Sequence, residues 1–166
     1  ILKKYFISLE TLICKKEFID KISFTFDKEF TMISDLDLTL RLSKVSELEY
    51  SPDILAKWRI HQNSETWKKT KIFFLERLKL YKKLKIDKKI NNNISIEKSL
   101  EEFKNNTIYS YIFQQIENKE KKNYIYENLK EIKSLKIKYL FTFLLVNFPL
   151  NNILLKIYRK FTKISP

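Results

Sequence analysis

Apolar residues along the chain are spaced first by twos and later by threes and fours, and the change predicts two kinds of structure. ISLETLIC (7–14) alternates loosely and is rich in β-formers, which predicts a short strand. KKEFIDKI (15–22) places Phe18, Ile19 and Ile22 on one helical face, and residues 26–30 read as a loop. SDLDLTLRLSKVS (34–46) supports two readings. Strict alternation of Leu36, Leu38, Leu40 and Leu42 argues for a strand. Ser34 as N-cap, with Asp35 and Asp37 at the positive end, argues for a helix that gathers Leu38, Leu42 and Val45. ELEYS (47–51), a turn at Pro52-Asp53 and ILAKWRIH (54–61) predict two further short strands, and Gln62-Asn63-Ser64 a loop.

Beyond residue 65 the spacing is helical throughout. Trp67, Phe74, Leu78 and Tyr81 mark one long helix, residues 91–93 (Asn-Asn-Asn) break it, and Ser95 opens another through Leu100, Phe103, Ile108, Tyr111 and Ile112. Further helices are predicted near 120–131, 134–146 and 151–163, punctuated by Pro149 and Asn151-Asn152.

Charge divides the chain in the same place. The net charge is +13, yet residues 1–65 hold 10 Lys/Arg against 11 Asp/Glu, whereas residues 66–166 hold 23 against 9. The boundary expected from this asymmetry separates a near-neutral part, 1–65, from a basic helical extension, 66–166. Arg41, Arg59, Arg77 and Arg159 are the only arginines among 33 basic residues, which argues against base-reading or phosphate-clamping nucleic-acid recognition. There is no glycine, so neither a P-loop nor a dinucleotide-binding fingerprint is present. Cys14 has no second cysteine to pair with, and with one histidine it makes no zinc site. The chain opens Ile1-Leu2-Lys3-Lys4, without Met and without a signal-peptide pattern, as a fragment would.

Two blocks in order carry a family resemblance. FISLETLICKKEFIDKISFTFDKEFTMISDLDLTLRLS resembles the stretch of family-two glycosyltransferases in which a strand, a K/R-E helix and an F-D-E-x-F loop lead into E-D-x-D-L-x-L-R-L. YSPDILAKWRIHQNS is similar to that family's Y-x-P-x-x-L-x-x-Y-R-x-H-x-x-N/S. The resemblance covers about residues 5–66, and it implies a helix at 34–46. It departs from the pattern at Ser34, where an acid is usual, and at residues 23–25, where a glycine is. The family's nucleotide-binding first half and its D-x-D are not in this sequence; Asp35-Leu36-Asp37 spells D-x-D but opens a helical pattern with no buried β-run before it.

The resemblance implies an α/β fold: the C-terminal, acceptor-side half of a GT-A sheet, two or three strands, followed by an all-α extension. It implies transfer of a sugar from a nucleotide-sugar to a hydroxyl of a glycan or lipid-linked acceptor, with inversion, in cell-surface glycan synthesis. Asp35 matches the general base, a carboxylate that removes the acceptor proton as the oxygen attacks. Asp37 and Arg59 fall at substrate-binding positions, and a structural reading stands beside each: Asp37 orienting the helix end and pairing with Arg41, Arg59 bracing Asp35. His61, the only histidine, matches a ligand of a divalent metal, Mn or Mg, at the sugar-nucleotide diphosphate; a strand-end histidine without metal is the alternative.

The tail adds a partner class. No charge occurs from residue 139 to 155, and from 132 to the end there are seven Lys/Arg and no acid. This suits either a helix lying in an anionic membrane interface or a buried helix pair with solvated lysines. The expected location is cytoplasmic, peripheral on the inner face of the membrane. The alternative function, from another class, is a non-catalytic basic helical module docking on membrane or nucleic acid.

Overall fold

The structure, a computed structural model, describes residues 2, 5, 7–57, 59, 69–87, 93–132, 144, 146 and 147. Among the described residues a 3-10 turn at Leu9–Thr11 is followed by α1 Lys16–Ile19, α2 Ser34–Leu42, α3 Thr70–Ile86, α4 Ile94–Glu117 and α5 Lys122–Lys130. There is no strand among the described residues. The α/β expectation is therefore corrected: the described residues are helical, with no GT-A half-sheet among them. Residues 7–14 form the 3-10 turn and irregular backbone, and the described part of 47–61 is irregular and joins no ladder. The physical reason is that alternation supplies a face and not a partner. A strand exists only where a neighbour takes up its N–H and C=O groups, and no described segment lies beside these.

The strict leucine alternation at 36–42 folds as helix α2. Leu36, Leu38, Leu40 and Leu42 are all buried, so the element is covered nearly all round, and a covered helix can place apolar residues at every second position. Ser34 is the first helical residue and not the cap. Ile33 holds that position and offers no side-chain acceptor.

The chain divides into two compact units, Ile1–Thr107 and Ile108–Pro166, and α4 contributes residues to both. The boundary expected near residue 65 lies outside the described residues. In the first unit, Phe30, Ile33, Leu36 and Leu40 form one core with Leu80, Tyr81 and Leu84 of α3 and with Leu100 and Phe103 of α4; Leu2, Tyr5, Met32 and Phe73 pack on its edge. Arg77 lies inside this helical packing. Its Nε donates to Thr107 Oγ1 at 3.0 Å, its guanidinium stacks 4.2 Å from the Phe103 ring centre, and burial lowers its pKa to about 10, so it stays a cation at neutral pH.

The α2 N-terminus is capped from a distance. Glu76 of α3, 8% exposed, accepts from Thr31 N–H (2.9 Å) and Thr31 O–H (2.8 Å) at one oxygen, and from Met32 N–H (2.8 Å) and Ile33 N–H (3.2 Å) at the other. Four donors on one carboxylate hold the chain entering α2 against α3. Desolvation works to raise the Glu76 pKa, but these donors outweigh it and hold the carboxyl below its ordinary range.

In the second unit, α4 buries Ile108, Tyr109, Tyr111, Ile112 and Ile116, and α5 buries Ile125 and Leu129. Asn128 of α5 donates to Gln115 Oε1 at 2.9 Å, and Gln115 Nε2 donates to Glu120 at 3.1 Å. Between the helices, Lys119 N–H donates to Ile116 O (3.1 Å) and Glu120 N–H to Gln115 O (2.9 Å), the two bonds of a Schellman ending. Lys119 stands at the left-handed position, with φ 54°. No helix among the described residues is long and apolar enough to cross a membrane. The helices expected near 134–146 and 151–163, and with them the tail's interfacial face, fall almost wholly outside the described residues.

Glu76→Ala should cost about 3 kcal/mol by chemical denaturation, because three backbone N–H groups lose a buried charged acceptor. Glu76 binds its proton less readily folded than unfolded, so its contribution is complete above the ordinary carboxyl value of 4.5 and fades as pH falls through the depressed folded value. The stability gap between the parent and Glu76→Gln should accordingly narrow on acidification below that value. In the second unit, Lys119→Gly should raise stability by about 0.5–1 kcal/mol, since glycine takes the left-handed cap without a Cβ clash.

Candidate functional site

Residues 24–37 hold two of the four side chains the sequence singled out, Asp35 and Asp37. The loop at 26–30 is closed by Asp27 Oδ1, which accepts from Glu29 N–H at 3.0 Å, and Phe30 enters the core. Arg41, one turn along α2, reaches back over this loop. Its Nη2 donates to Thr25 O at 2.8 Å and Nη1 to Phe24 O, while the guanidinium lies 4.5 Å from the Phe24 ring centre. Its Nε donates to Asp37 Oδ2 at 2.8 Å, an i,i+4 pair.

Asp37 is 2% exposed, and its other oxygen lies 3.4 Å from Lys83 Nζ. Lys83 also bridges to Asp27 Oδ2 at 2.6 Å. Desolvation works to lower the Lys83 pKa, but Asp27 and Asp37 outweigh it and the ammonium is held above its ordinary range. The Lys83 hydrogen bond, with help from Glu29 N–H, holds the Asp27 carboxyl low. Asp27, Asp37, Arg41 and Lys83 thus form one network joining loop, α2 and α3. The Asp37 carboxylate is committed to it and turned away from solvent.

Asp35 stands differently. It is half-buried in the first turn of α2, its Oδ1 accepts from Leu36 N–H at 2.8 Å, and its Oδ2 accepts from the Tyr5 hydroxyl at 3.1 Å. It has no cation paired with it among the described residues. Thr39 donates to the Asp35 carbonyl at 2.6 Å and its hydroxyl lies 3.5 Å from Tyr5 Oη. Burial first, and then the Asp35 charge, push the Tyr5 hydroxyl up to about 12, so it remains a proton donor to Asp35 at neutral pH. Two donors orient this carboxylate, and each oxygen keeps a lone pair for a third partner.

Of the remaining expected site residues, Arg59 is exposed, with no hydrogen bond or ion pair to Asp35 or to any other described residue. His61 lies outside the described residues. Among the described residues no three His, Cys, Asp or Glu come together as a metal site would require. Tyr5 and Glu76 were not legible as site residues. Tyr5 stands 30 positions before the carboxylate it contacts, and Glu76 43 to 45 positions after the backbone it caps.

No protein-family model matches this chain, and neither a curated protein nor a solved structure does.

The network gives a stability test. Asp37→Ala should cost about 3 kcal/mol in chemical denaturation, because Arg41 Nε loses its buried partner and Lys83 one of its two carboxylates. Arg41→Lys should not restore the parent stability. An ammonium cannot serve Asp37, Phe24 O and Thr25 O together as the planar guanidinium does.

Proposed function

We propose that the chain is the acceptor-side part of an inverting glycosyltransferase in which Asp35 is the general base. The observation that carries this reading is the unequal fate of two neighbouring carboxylates. Asp37 is buried in ion pairs, whereas Asp35 is half-exposed, unpaired with any described cation and aimed by Tyr5 and Leu36 N–H. A base needs that combination of fixed direction and remaining acceptor capacity. The motif resemblance at SDLDLTLRLS independently puts the catalytic carboxylate at Asp35.

In this reaction Asp35 takes the proton of an acceptor hydroxyl as its oxygen bonds to the anomeric carbon. The bond from that carbon to the donor phosphate oxygen breaks, and the nucleoside diphosphate leaves with the electron pair. Tyr5 holds the carboxylate in place without competing for the proton, since its own hydroxyl stays protonated far above neutral pH. The donor would sit on a nucleotide-binding half outside this sequence, and the resemblance offers His61 of this chain as a ligand of the divalent ion at its diphosphate.

The test is sugar transfer by an intact enzyme carrying both halves. Asp35→Asn keeps the size of the side chain and an acceptor oxygen, and should leave thermal stability close to the parent while lowering turnover about a hundredfold or more. Near-normal turnover with nucleotide-sugar bound as before would remove Asp35 from the role.

A further inference from the structure

We propose that the outward face of α3 is a docking surface for an anionic membrane. Helix α3, Thr70–Ile86, buries Phe74, Leu80, Tyr81 and Leu84 on one side. At about 100° per residue, six residues share the opposite arc: Lys71, Ile72, Leu75, Lys79, Lys82 and Ile86. All six are exposed, and the three apolar ones are 42%, 49% and 80% accessible for Ile72, Leu75 and Ile86. No acid lies in this arc. Glu76, the helix's only acid, is turned inward onto residues 31–33. Lys79 has Glu29 at 3.1 Å, while Lys71 and Lys82 have no carboxylate partner among the described residues.

Scattered exposed leucines are ordinary. Three large aliphatic side chains interleaved with three lysines along about 21 Å of one helix face are a different arrangement. Water is a poor neighbour for the aliphatic groups, and a protein core is a poor one for the ammoniums. An anionic lipid surface suits both, because the aliphatic groups enter the headgroup boundary and the lysines stay level with the phosphates. A nucleic-acid backbone would meet the lysines but give Ile72, Leu75 and Ile86 no apolar contact. The proposal stands on α3 alone and does not depend on Asp35 or on residues 132–166.

The experiment is co-sedimentation of the whole chain with vesicles of neutral lipid, and of neutral lipid with a third phosphatidylserine, at low and moderate salt. The parent should prefer the anionic vesicles and lose binding as salt rises. Each surface lysine is worth about fivefold in partitioning, so Lys71→Gln with Lys82→Gln should weaken binding about twenty-five-fold. Leu75→Ser with Ile86→Ser should also weaken it at least severalfold, with salt dependence kept. A pair with the same charge loss elsewhere, Lys57→Gln with Lys98→Gln, should weaken binding much less. Equal loss from both lysine pairs would reduce the effect to net charge and overturn the proposal. So would parent-like binding by the Lys71/Lys82 pair, which would place the membrane contact in another segment, or indifference to the two serine changes.

Discussion

The contact on which the first unit depends is a single carboxylate meeting three consecutive backbone N–H groups. Helix α2 opens with Ile33 at its cap, a residue with no acceptor to offer, and the chain before it runs through Thr31 and Met32 with their N–H groups pointing the same way. Glu76 supplies the missing acceptor from α3. Burying it is costly by itself, and the four donors reverse that cost. Once this carboxylate is seated, α2 and α3 are locked in position at one end. Phe30, just before the bound segment, and Ile33, its last residue, are then placed in the core beside Leu80 and Leu84.

The division of labour between Asp35 and Asp37 follows from helical geometry applied to that seated helix. Residues two apart point about 200° from one another, so one of the pair must face inward if the other faces out. Asp37 faces the loop and α3, where Arg41 and Lys83 neutralise it. Asp35 faces the edge, where it meets a neutral phenol. The same spacing in a strand would have put both carboxylates on one face. A half-buried carboxylate, unpaired with any described cation, thus exists here because the segment is a helix, and the proposed chemistry rests on that.

What was legible in the sequence was whatever is encoded locally. Phe74, Leu78 and Tyr81, or Leu100, Phe103 and Ile108, repeat at helical spacing and lie in long helices. Their order and the break between them were readable for that reason. The predicted strands failed because period-2 spacing describes one face of a segment and is silent about whether a neighbour exists to complete the ladder. At 36–42 the same period arose from a helix covered on most sides. Asp35 was legible through the motif, but its aim was not, because Tyr5, Thr39 and Leu36 N–H come together only through folding. Asp27 to Lys83 and Glu76 to residues 31–33 span 43 to 56 positions, far beyond any local pattern.

A chain without glycine must also end its helices by other means, and the ends observed show what replaces it. Glycine ordinarily fills the left-handed residue after a helix because it has no Cβ to clash. At the end of α4 Lys119 takes that conformation, and the fit is secured by contacts rather than by conformational freedom. Two backbone bonds close the turn, and the Gln115 side chain ties Glu120 on one side and Asn128 on the other. The polar network compensates locally for a strained backbone position, in the way that Glu76 compensates for a cap residue that cannot cap. In both places a side chain reaching from a neighbouring turn or helix does what a small local residue does elsewhere. The lysine-rich composition tolerates this exchange because the long stems of Lys119 and its kind keep their charges in water wherever the backbone places them.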